Sequence, residues 1–266
     1  MKGYCKWGFY VCLYVGLLFS LVSCSGSDDS ATNTDLLVAF ITDDAEGPGS
    51  VQRYNGTTGV SLGTFVSGGS LHGPVGVVFG PDGTLYISSI DNGEVQRYSG
   101  TTGAFLGTIA TVPFGVDPTF GFALGPLGLA FGPDGNLYVG NDFTNDVQRY
   151  NGTTGASLGT FVSVGLDSPT GLIFGPDGNL YVASFNTNDV QRYNGRTGAF
   201  QRNFVTAGAG GLNGPTGLAF GQDGNLYVSS NASNEVLRYD GTTGVFMDIF
   251  VPAGRQRFPA FLIFVP

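Results

Sequence analysis

The chain has 266 residues, with 11 Lys and Arg against 20 Asp and Glu and a formal net charge of −9. This acidic balance argues against a nucleic-acid-binding protein and against electrostatic attachment to anionic lipid. The three cysteines, Cys5, Cys12 and Cys24, lie near the N-terminus, so the sequence predicts neither a disulfide nor a cysteine-based metal site in the rest of the chain.

Residues 1–23 have the pattern of a secretory signal. Lys2 and Lys6 form a basic start, and residues 9–22 are apolar over a stretch too short for a comfortable membrane span. The signal ends in Leu21-Val22-Ser23-Cys24, which resembles a bacterial lipobox. That resemblance implies acylation of Cys24 and a protein secreted across the inner membrane, then anchored by lipid on the periplasmic side or at the cell surface. The alternative is a cleaved signal followed by an incidental cysteine.

Residues 24–34 are small, polar and acidic, and they predict a flexible tether between the signal and the folded domain. The folded domain is expected over residues 35–266, where one sequence repeat recurs in whole or in part. Its clearest copy, residues 171–205, contains four short apolar segments: 171–174, 180–184, 190–193 and 200–205. Each segment is rich in Val, Leu, Phe and Tyr and has the length of a strand.

The connections between these segments are built for chain reversal. Residues 175–178 read Gly-Pro-Asp-Gly, in which Pro presets φ, Asp can bond the turn and the last Gly accepts a positive φ. Residues 194–198 read Asn-Gly-Arg-Thr-Gly and predict a second tight turn. The unit is therefore predicted to be a four-stranded antiparallel meander.

A meander of this length that recurs every ~40–50 residues is typical of a β-propeller blade, with a solenoid as the rival architecture. The third segment can be counted five times, at residues 51–54, 95–98, 147–150, 190–193 and 236–239. The sequence therefore predicts an all-β propeller of five blades. The first copy lacks a first segment, whereas residues 258–266 supply one with nothing after it. We expect that strand to pair with the first blade and close the ring; an open, curved array is the alternative.

Two loops of the first three blades depart from the repeat. Residues 42–50 contain Asp43, Asp44 and Glu46, three carboxylates that could hold Ca²⁺ or form a solvated acidic loop. Residues 111–124 are the longest insertion and contain Phe114, Phe120 and Phe122. These aromatic residues predict either a binding lip at one mouth of the ring or packing over a blade edge.

The string Gly-Pro-x-Gly-Leu-x-Phe-Gly-Pro-Asp-Gly-Asn-Leu-Tyr-Val, clear at residues 125–139, resembles the NHL-type repeat of bacterial propellers. Two enzyme groups share such repeats. Streptogramin lyase-like propellers use His with carboxylate and Mg²⁺, and here the one histidine is His72. Gluconolactonase-like propellers hold a divalent metal with Glu, Asn and Asp at the channel mouth.

Acidic and amide residues of this kind occur between the second and third segments, at Asp91, Asn92, Glu94, Asn141, Asp142, Asn145, Asp146, Asn186, Asp189, Asn231 and Glu235. They recur at equivalent positions in almost every blade. A catalytic centre usually needs different residues from different blades, so this recurrence favours a role in turn hydrogen bonding.

The third segment also carries one arginine in each repeat: Arg53, Arg97, Arg149, Arg192 and Arg238. With a period of two, Val and Arg should share one face of the strand, and Gln and Tyr the other. We expect each arginine to pair with the acidic residue that precedes Val in a neighbouring turn, or to stack on a Tyr. A ligand role repeated in every blade is the alternative.

Two functional hypotheses follow. The first is a non-enzymatic binding or interaction scaffold, displayed on a lipid anchor, with a protein or carbohydrate ligand and no cofactor. The near-identity of residues 52–67 and 148–163 favours it, since equivalent blades give equivalent sites. The second is a metal-dependent hydrolase or lyase, using Ca²⁺ or Mg²⁺ at the channel mouth. It would centre on His72, with Asp117 and Asp167 as partners.

Overall fold

The computed structural model describes residues 22–25, 34–40, 49–55, 60–66, 69, 71–119 and 121–253. Within these ranges the structure is almost entirely β, as predicted, with single 3-10 turns at Ile90–Asn92 and Ala209–Gly211. In the same ranges no helix is long and apolar enough to cross a membrane. The predicted signal up to residue 21 and the acidic loop with Asp43, Asp44 and Glu46 lie outside the described residues.

Antiparallel four-stranded sheets follow one another along the described chain, each with its strands in sequence order. We call them blades one to five. Blade one contains β1 (Val22–Ser25), β2 (Thr34–Phe40), β3 (Ser50–Tyr54) and β4 (Ser61–Val66). Blade two contains β5 (Pro74–Phe79), β6 (Leu85–Ser89), β7 (Glu94–Tyr98) and β8 (Phe105–Thr111). A two-stranded hairpin of β9 (Gly115–Val116) and β10 (Ala123–Leu124) separates blades two and three.

Blade three contains β11 (Pro126–Phe131), β12 (Leu137–Asn141), β13 (Asp146–Tyr150) and β14 (Ser157–Val162). Blade four contains β15 (Pro169–Phe174), β16 (Leu180–Ser184), β17 (Asp189–Tyr193) and β18 (Phe200–Val205). Blade five contains β19 (Pro215–Phe220), β20 (Leu226–Ser230), β21 (Glu235–Tyr239) and β22 (Phe246–Val251).

The sheets are arranged radially about their first strands. The inner strand β5 contacts β11, β11 contacts β15, and β15 contacts β19. The last strand of each blade faces outward and is largely exposed along its length. Neighbouring inner strands approach closely at glycine: a Cβ on Gly128 would lie 2.1 Å from the carbonyl oxygen of Thr170. This arrangement confirms an all-β propeller with four-stranded antiparallel blades.

The inner edge of blade one differs from the prediction. The sequence assigns that position to residues 258–266, whereas in the structure β1 pairs with β2, with Val22 opposite Leu37 and Cys24 opposite Asp35. β1 thus crosses the predicted boundary between signal and tether. The edge of β2 needs a partner for its backbone groups, and this upstream segment provides one. Residues 258–266 lie outside the described residues, so the blade count of the ring and its closure stay predictions.

The hydrophobic core lies between adjacent blades. One cluster joins Val190 and Val205 of blade four to Leu218 and Leu226 of blade five. In blades three and four the tyrosine of the second strand meets rings on both sides: Tyr181 packs edge-on against Phe204 of its own blade and Phe220 of the next, with ring centroids 4.8 and 5.1 Å apart. Because both faces of a blade are covered in this way, the second strands are buried at consecutive positions, as in Leu180–Ser184.

Candidate functional site

In a four-stranded meander, the connection from an outer strand to the next inner strand and the connection from the second to the third strand emerge on the same side. We call this side the upper face and the opposite side the lower face. Backbone hydrogen bonds join the two upper connections, as from Ile90 N to Gly73 O at 3.1 Å and from Phe185 N to Ser168 O at 3.0 Å. The upper connections therefore form one continuous, hydrogen-bonded mouth around the inner strands.

A serine at the end of the second strand fixes this mouth in three blades. In blade four the buried Ser184 hydroxyl accepts a hydrogen bond from Asp167 N at 2.9 Å and donates to Asp167 O at 3.1 Å. Ser89 holds His72 in the same way, and Ser230 holds Asn213. The backbone is thus the same in each blade, while the side chain presented at the mouth changes from His to Asp to Asn.

His72 has a carboxylate as its neighbour. Burial raises the pKa of the Asp91 carboxyl, and the charge of the nearby His72 acts in the opposite direction. The equivalent pair in blade four is Asp167 with Asn186, whose amide donates to Asp167 Oδ1 at 2.9 Å. The mouth therefore carries different polar pairs in different blades, which the comparison of linker sequences alone did not reveal.

Asp142 is the most perturbed acid at the mouth. Its Oδ1 accepts a hydrogen bond from Gly125 N at 2.6 Å, and its own N–H donates to Gly125 O at 3.1 Å. Burial nevertheless dominates over these bonds and raises the pKa of Asp142 to about 7. This carboxyl can therefore gain or lose a proton near neutral pH.

The start of the insertion between blades two and three is anchored to both of these blades. Val112 N donates to Gly93 O of blade two at 2.7 Å, and the Asn141 amide of blade three donates to Pro113 O at 2.8 Å. The β9–β10 hairpin therefore stands in a fixed place over the junction of the two blades.

Three apolar side chains at this junction face solvent. Phe114, Val116 and Phe143 are 46%, 61% and 44% exposed, and we call them the apolar lip. Phe114 packs beside Gly93 and Phe143 packs over Gly115, where added Cβ atoms would lie only 2.3 Å from each ring. The lip is thus held rigidly on one side and open on the other. This supports the binding-lip interpretation for Phe114; Phe122 is partly buried, and Phe120 lies outside the described residues.

The remaining predicted site residues have local roles. Asp117 Oδ1 accepts from Thr119 N at 2.7 Å inside the hairpin turn. Asp146 and Asp189 accept from the threonine two residues before them, Thr144 and Thr187, and from the glutamine two residues after them. Among the described residues, no group of three His, Cys, Asp or Glu side chains is placed to hold a metal ion.

Two arginines of the third strands, Arg192 and Arg238, pair with acids other than the expected one. Arg192 donates to Asp177 Oδ2 at 2.6 Å, in the lower turn of its own blade, and lies over the Tyr181 ring. Arg238 pairs with Asp248 on the adjacent outer strand. Pairing with the acid before Val is wrong, because that acid is on the upper side and bonds Gln instead, as Asp189 bonds Gln191. The expected stacking is confirmed for Arg192.

Sequence reasoning did not identify Phe143 or Val116, and it named Asp142 only as one of the recurring linker residues. The signal was present in part: Phe143 occupies a linker position held by Asp91, Asn186 and Ala232 in the other aligned blades. A large apolar residue in a polar linker indicates a feature specific to that blade.

Comparison with solved structures gives the same fold. A nidogen/laminin complex matches with a TM-score of 0.65 at 19% identity, covering 85% of this chain and 79% of that chain. A virginiamycin B lyase from Staphylococcus aureus matches with a TM-score of 0.59 at 16% identity, covering 90% and 76%. A protein of unknown function from Bacteroides caccae matches with a TM-score of 0.65 at 14% identity, covering 85% and 81%.

No protein family profile and no curated protein matches the chain. At such identities the structural likeness carries the fold and not the activity. The predicted similarity to streptogramin lyase-like propellers is confirmed at that level: the chain is a β-propeller built like theirs.

Proposed function

We propose that this protein is a non-enzymatic binding module that holds a protein partner on its upper face through the apolar lip. The observation that carries the proposal is the exposure of Phe114, Val116 and Phe143 where an insertion anchored to two blades meets the upper connection of blade three. Exposed aromatic side chains on a rigid support are typical anchors of protein interfaces. The structural neighbour from a nidogen/laminin complex supports the same use of the fold.

The charges around the lip define the partner further. Asp91, Asp142 and Asp167 belong to the same mouth, in a chain with a formal net charge of −9. A partner segment that places an apolar side chain on the lip and basic side chains around it would match both features. Binding of this kind needs no cofactor.

Selection of random displayed peptides tests this role. We expect peptides with an apolar residue flanked by Lys or Arg to be enriched, and the substitution Phe143→Ser to weaken their binding at least about tenfold. Phe105→Ser is the matched control, because Phe105 is equally exposed at 43% but lies on the outer edge of blade two. Equal binding to both variants, or enrichment of no such peptides, would contradict the proposal.

A second candidate is acid–base catalysis at the same mouth. It is favoured by one observation, a half-buried Asp142 whose pKa is raised to about 7, at a mouth that also holds His72 and Asp91. A hydrolysis screen of lactones and esters with and without Mg²⁺ or Ca²⁺ would detect it. Activity lost in both His72→Ala and Asp142→Asn would favour catalysis over binding.

We also propose that the chain is anchored through an acylated Cys24 and that its five blades close into a ring. Removal of residues 1–23 would take Val22 and Ser23 out of β1 and leave the edge of β2 available to residues 258–266. Mass spectrometry of the purified protein would detect the acyl group, and Cys24→Ala should release the protein from membranes. Retention of Cys24→Ala in the membrane fraction would contradict the anchor.

A further inference from the structure

A polar groove opens on the lower face between blades three and four, opposite the side that carries the apolar lip. Its volume is about 780 Å³, and its lining includes Asp134, Arg149, Asn179, Asn194, Arg196 and Thr197. This volume is within the ordinary range for small-molecule sites of ~300–1,000 Å³. Six of its ten lining residues have charged or amide side chains, so the groove suits a ligand with several polar groups.

Among the residues that the structure describes, no carboxylate pairs with either arginine of the groove. Arg192 and Arg238 form ion pairs with Asp177 and Asp248, whereas Arg149 and Arg196 form none with the described residues. The guanidinium of Arg149 lies over the Phe161 ring at 5.4 Å, which fixes its plane. Its Nε is buried without a hydrogen-bond partner, so further bonds must come from its terminal nitrogens.

One arginine of the groove is specific to blade four. In the lower turn between the third and fourth strands, four repeats read x-Gly-Thr-Thr-Gly, at residues 55–59, 99–103, 151–155 and 240–244. Blade four alone reads Asn-Gly-Arg-Thr-Gly at 194–198 and so places Arg196 at the groove. The turn itself is the same as in blade three, since Asn194 Oδ1 accepts from Arg196 N at 3.0 Å as Asn151 Oδ1 accepts from Thr153 N. Arg196 therefore changes the charge of the groove without changing its backbone.

The local charges favour a single anionic group on the ligand. The charge of Asp177 is balanced by its ion pair with Arg192. The remaining charges of the groove are the two guanidinium groups of Arg149 and Arg196 and the carboxylate of Asp134. That carboxylate already accepts hydrogen bonds on Oδ2 from Asn136 and Tyr138. Two guanidinium groups bind a carboxylate with good geometry, and amide and carboxylate side chains bind hydroxyl groups. We propose that this groove binds an acidic carbohydrate, with the uronate carboxylate on Arg149 and Arg196 and the sugar hydroxyls on the surrounding polar side chains.

Titration of the full chain with a galacturonic acid trimer tests the site, with the neutral galactose trimer and inorganic phosphate as comparison ligands. We expect the acidic trimer to bind, and Arg196→Thr and Arg149→Gln each to weaken it at least about tenfold. Arg97→Gln is the matched control: Arg97 occupies the position of Arg149 in blade two, opposite Gly107, but outside the groove. It should leave the affinity unchanged.

Four results would overturn the proposal. These are absence of binding up to about 10 mM, equal binding of the neutral trimer, equal losses in Arg97→Gln and Arg149→Gln, or arginine-dependent binding of phosphate without binding of the uronate trimer. None of these results bears on the apolar lip, which lies on the other face and is tested with different variants.

Discussion

Phe204 and Phe250 occupy equivalent positions on the outer strands of blades four and five, but Phe204 is 3% exposed and Phe250 is 48% exposed. The cover over Phe204 is the lower turn of the next blade, where Gly244 comes so close that an added Cβ would lie 1.8 Å from Phe204 O. The same contact joins Gly198 to Phe161 and Gly155 to Ile109. A closed ring would place the lower turn of blade one on Phe250 in this way.

The proposed closure makes a prediction about these two rings. Phe204→Ala should lower the free energy of unfolding by about 3–4 kcal/mol, the usual cost of removing a buried ring. In the protein without residues 1–23, closure predicts a similar cost for Phe250→Ala, falling below about 1 kcal/mol when residues 254–266 are deleted. Urea denaturation of each variant beside its own parent protein measures these costs. A small cost for Phe250→Ala before and after the deletion would show that blade five stays uncovered.

Asp142 should make the protein less stable as the pH rises. Its pKa is about 7 in the folded state and 3.8 ordinarily, so the folded state binds more protons between these values. Stability contributed by the neutral acid is therefore complete below about pH 4 and lost as the pH passes 7. Asp142→Asn keeps the acceptor for Gly125 N and should stabilise the protein at pH 8 by on the order of 2 kcal/mol.

Thermal melts at pH 5 and pH 8 check this prediction. Asp142→Asn should raise the melting temperature at pH 8 and raise it much less at pH 5. Asp167→Asn is the control, since Asp167 is an exposed acid on the same face. An equal effect of Asp142→Asn at both pH values would contradict a raised pKa.

Asp177 predicts the opposite pH dependence. Burial raises the pKa of this carboxyl, but hydrogen bonds from Asn179, Tyr181 and Arg192 outweigh burial and lower the pKa to about 2. The stability that the ionised carboxylate contributes is present above pH 4 and lost as the pH falls towards 2. Because the pair with Arg192 is partly exposed, Asp177→Asn should cost only about 1 kcal/mol at pH 7. Acid unfolding should reveal no difference between wild type and variant near pH 2.

Much of the fold could be predicted because each signal is local and repeated. In the Gly-Pro-Asp-Gly turn, Asp134 Oδ1 accepts from Asn136 N at 3.1 Å and Gly135 adopts a φ of 74°, as the turn chemistry requires. The shared face of Gln and Tyr in the third strands is also confirmed, since the Tyr193 hydroxyl bonds Gln191. Both features depend on residues close together in the chain, so residue type and the alternation of the strand are enough to predict them.

The candidate site depends on contacts that no local pattern contains. Phe143 meets Gly115 only because the insertion folds back over the next blade. The pKa of Asp142 is raised because burial in the folded chain outweighs the hydrogen bond from Gly125 N. β1 is a second example: the sequence indicated that β2 lacks an inner partner, but pairing between strands is non-local, and Val22–Ser25 was assigned to a signal and tether. The partner of Arg192 likewise depends on the three-dimensional fold: Asp177 lies in the lower turn beside the guanidinium, whereas Asp189 lies on the upper side.

The serine at the end of the second strand should be essential to the upper face. Ser184 is fully buried, and its hydroxyl accepts from Asp167 N and donates to Asp167 O, which also accepts from Asn186 N at 3.2 Å. Ser184→Ala leaves these two backbone groups without that partner, which should cost about 1–3 kcal/mol. Ser157→Ala is the control, because Ser157 is exposed on an outer strand and accepts one long bond from Gly159 N at 3.3 Å. In Ser184→Ala, the amides of residues 165–168 should exchange hydrogen faster through local opening, without global unfolding of the protein. Unchanged exchange at these residues, with a stability equal to that of Ser157→Ala, would show that other contacts hold the mouth.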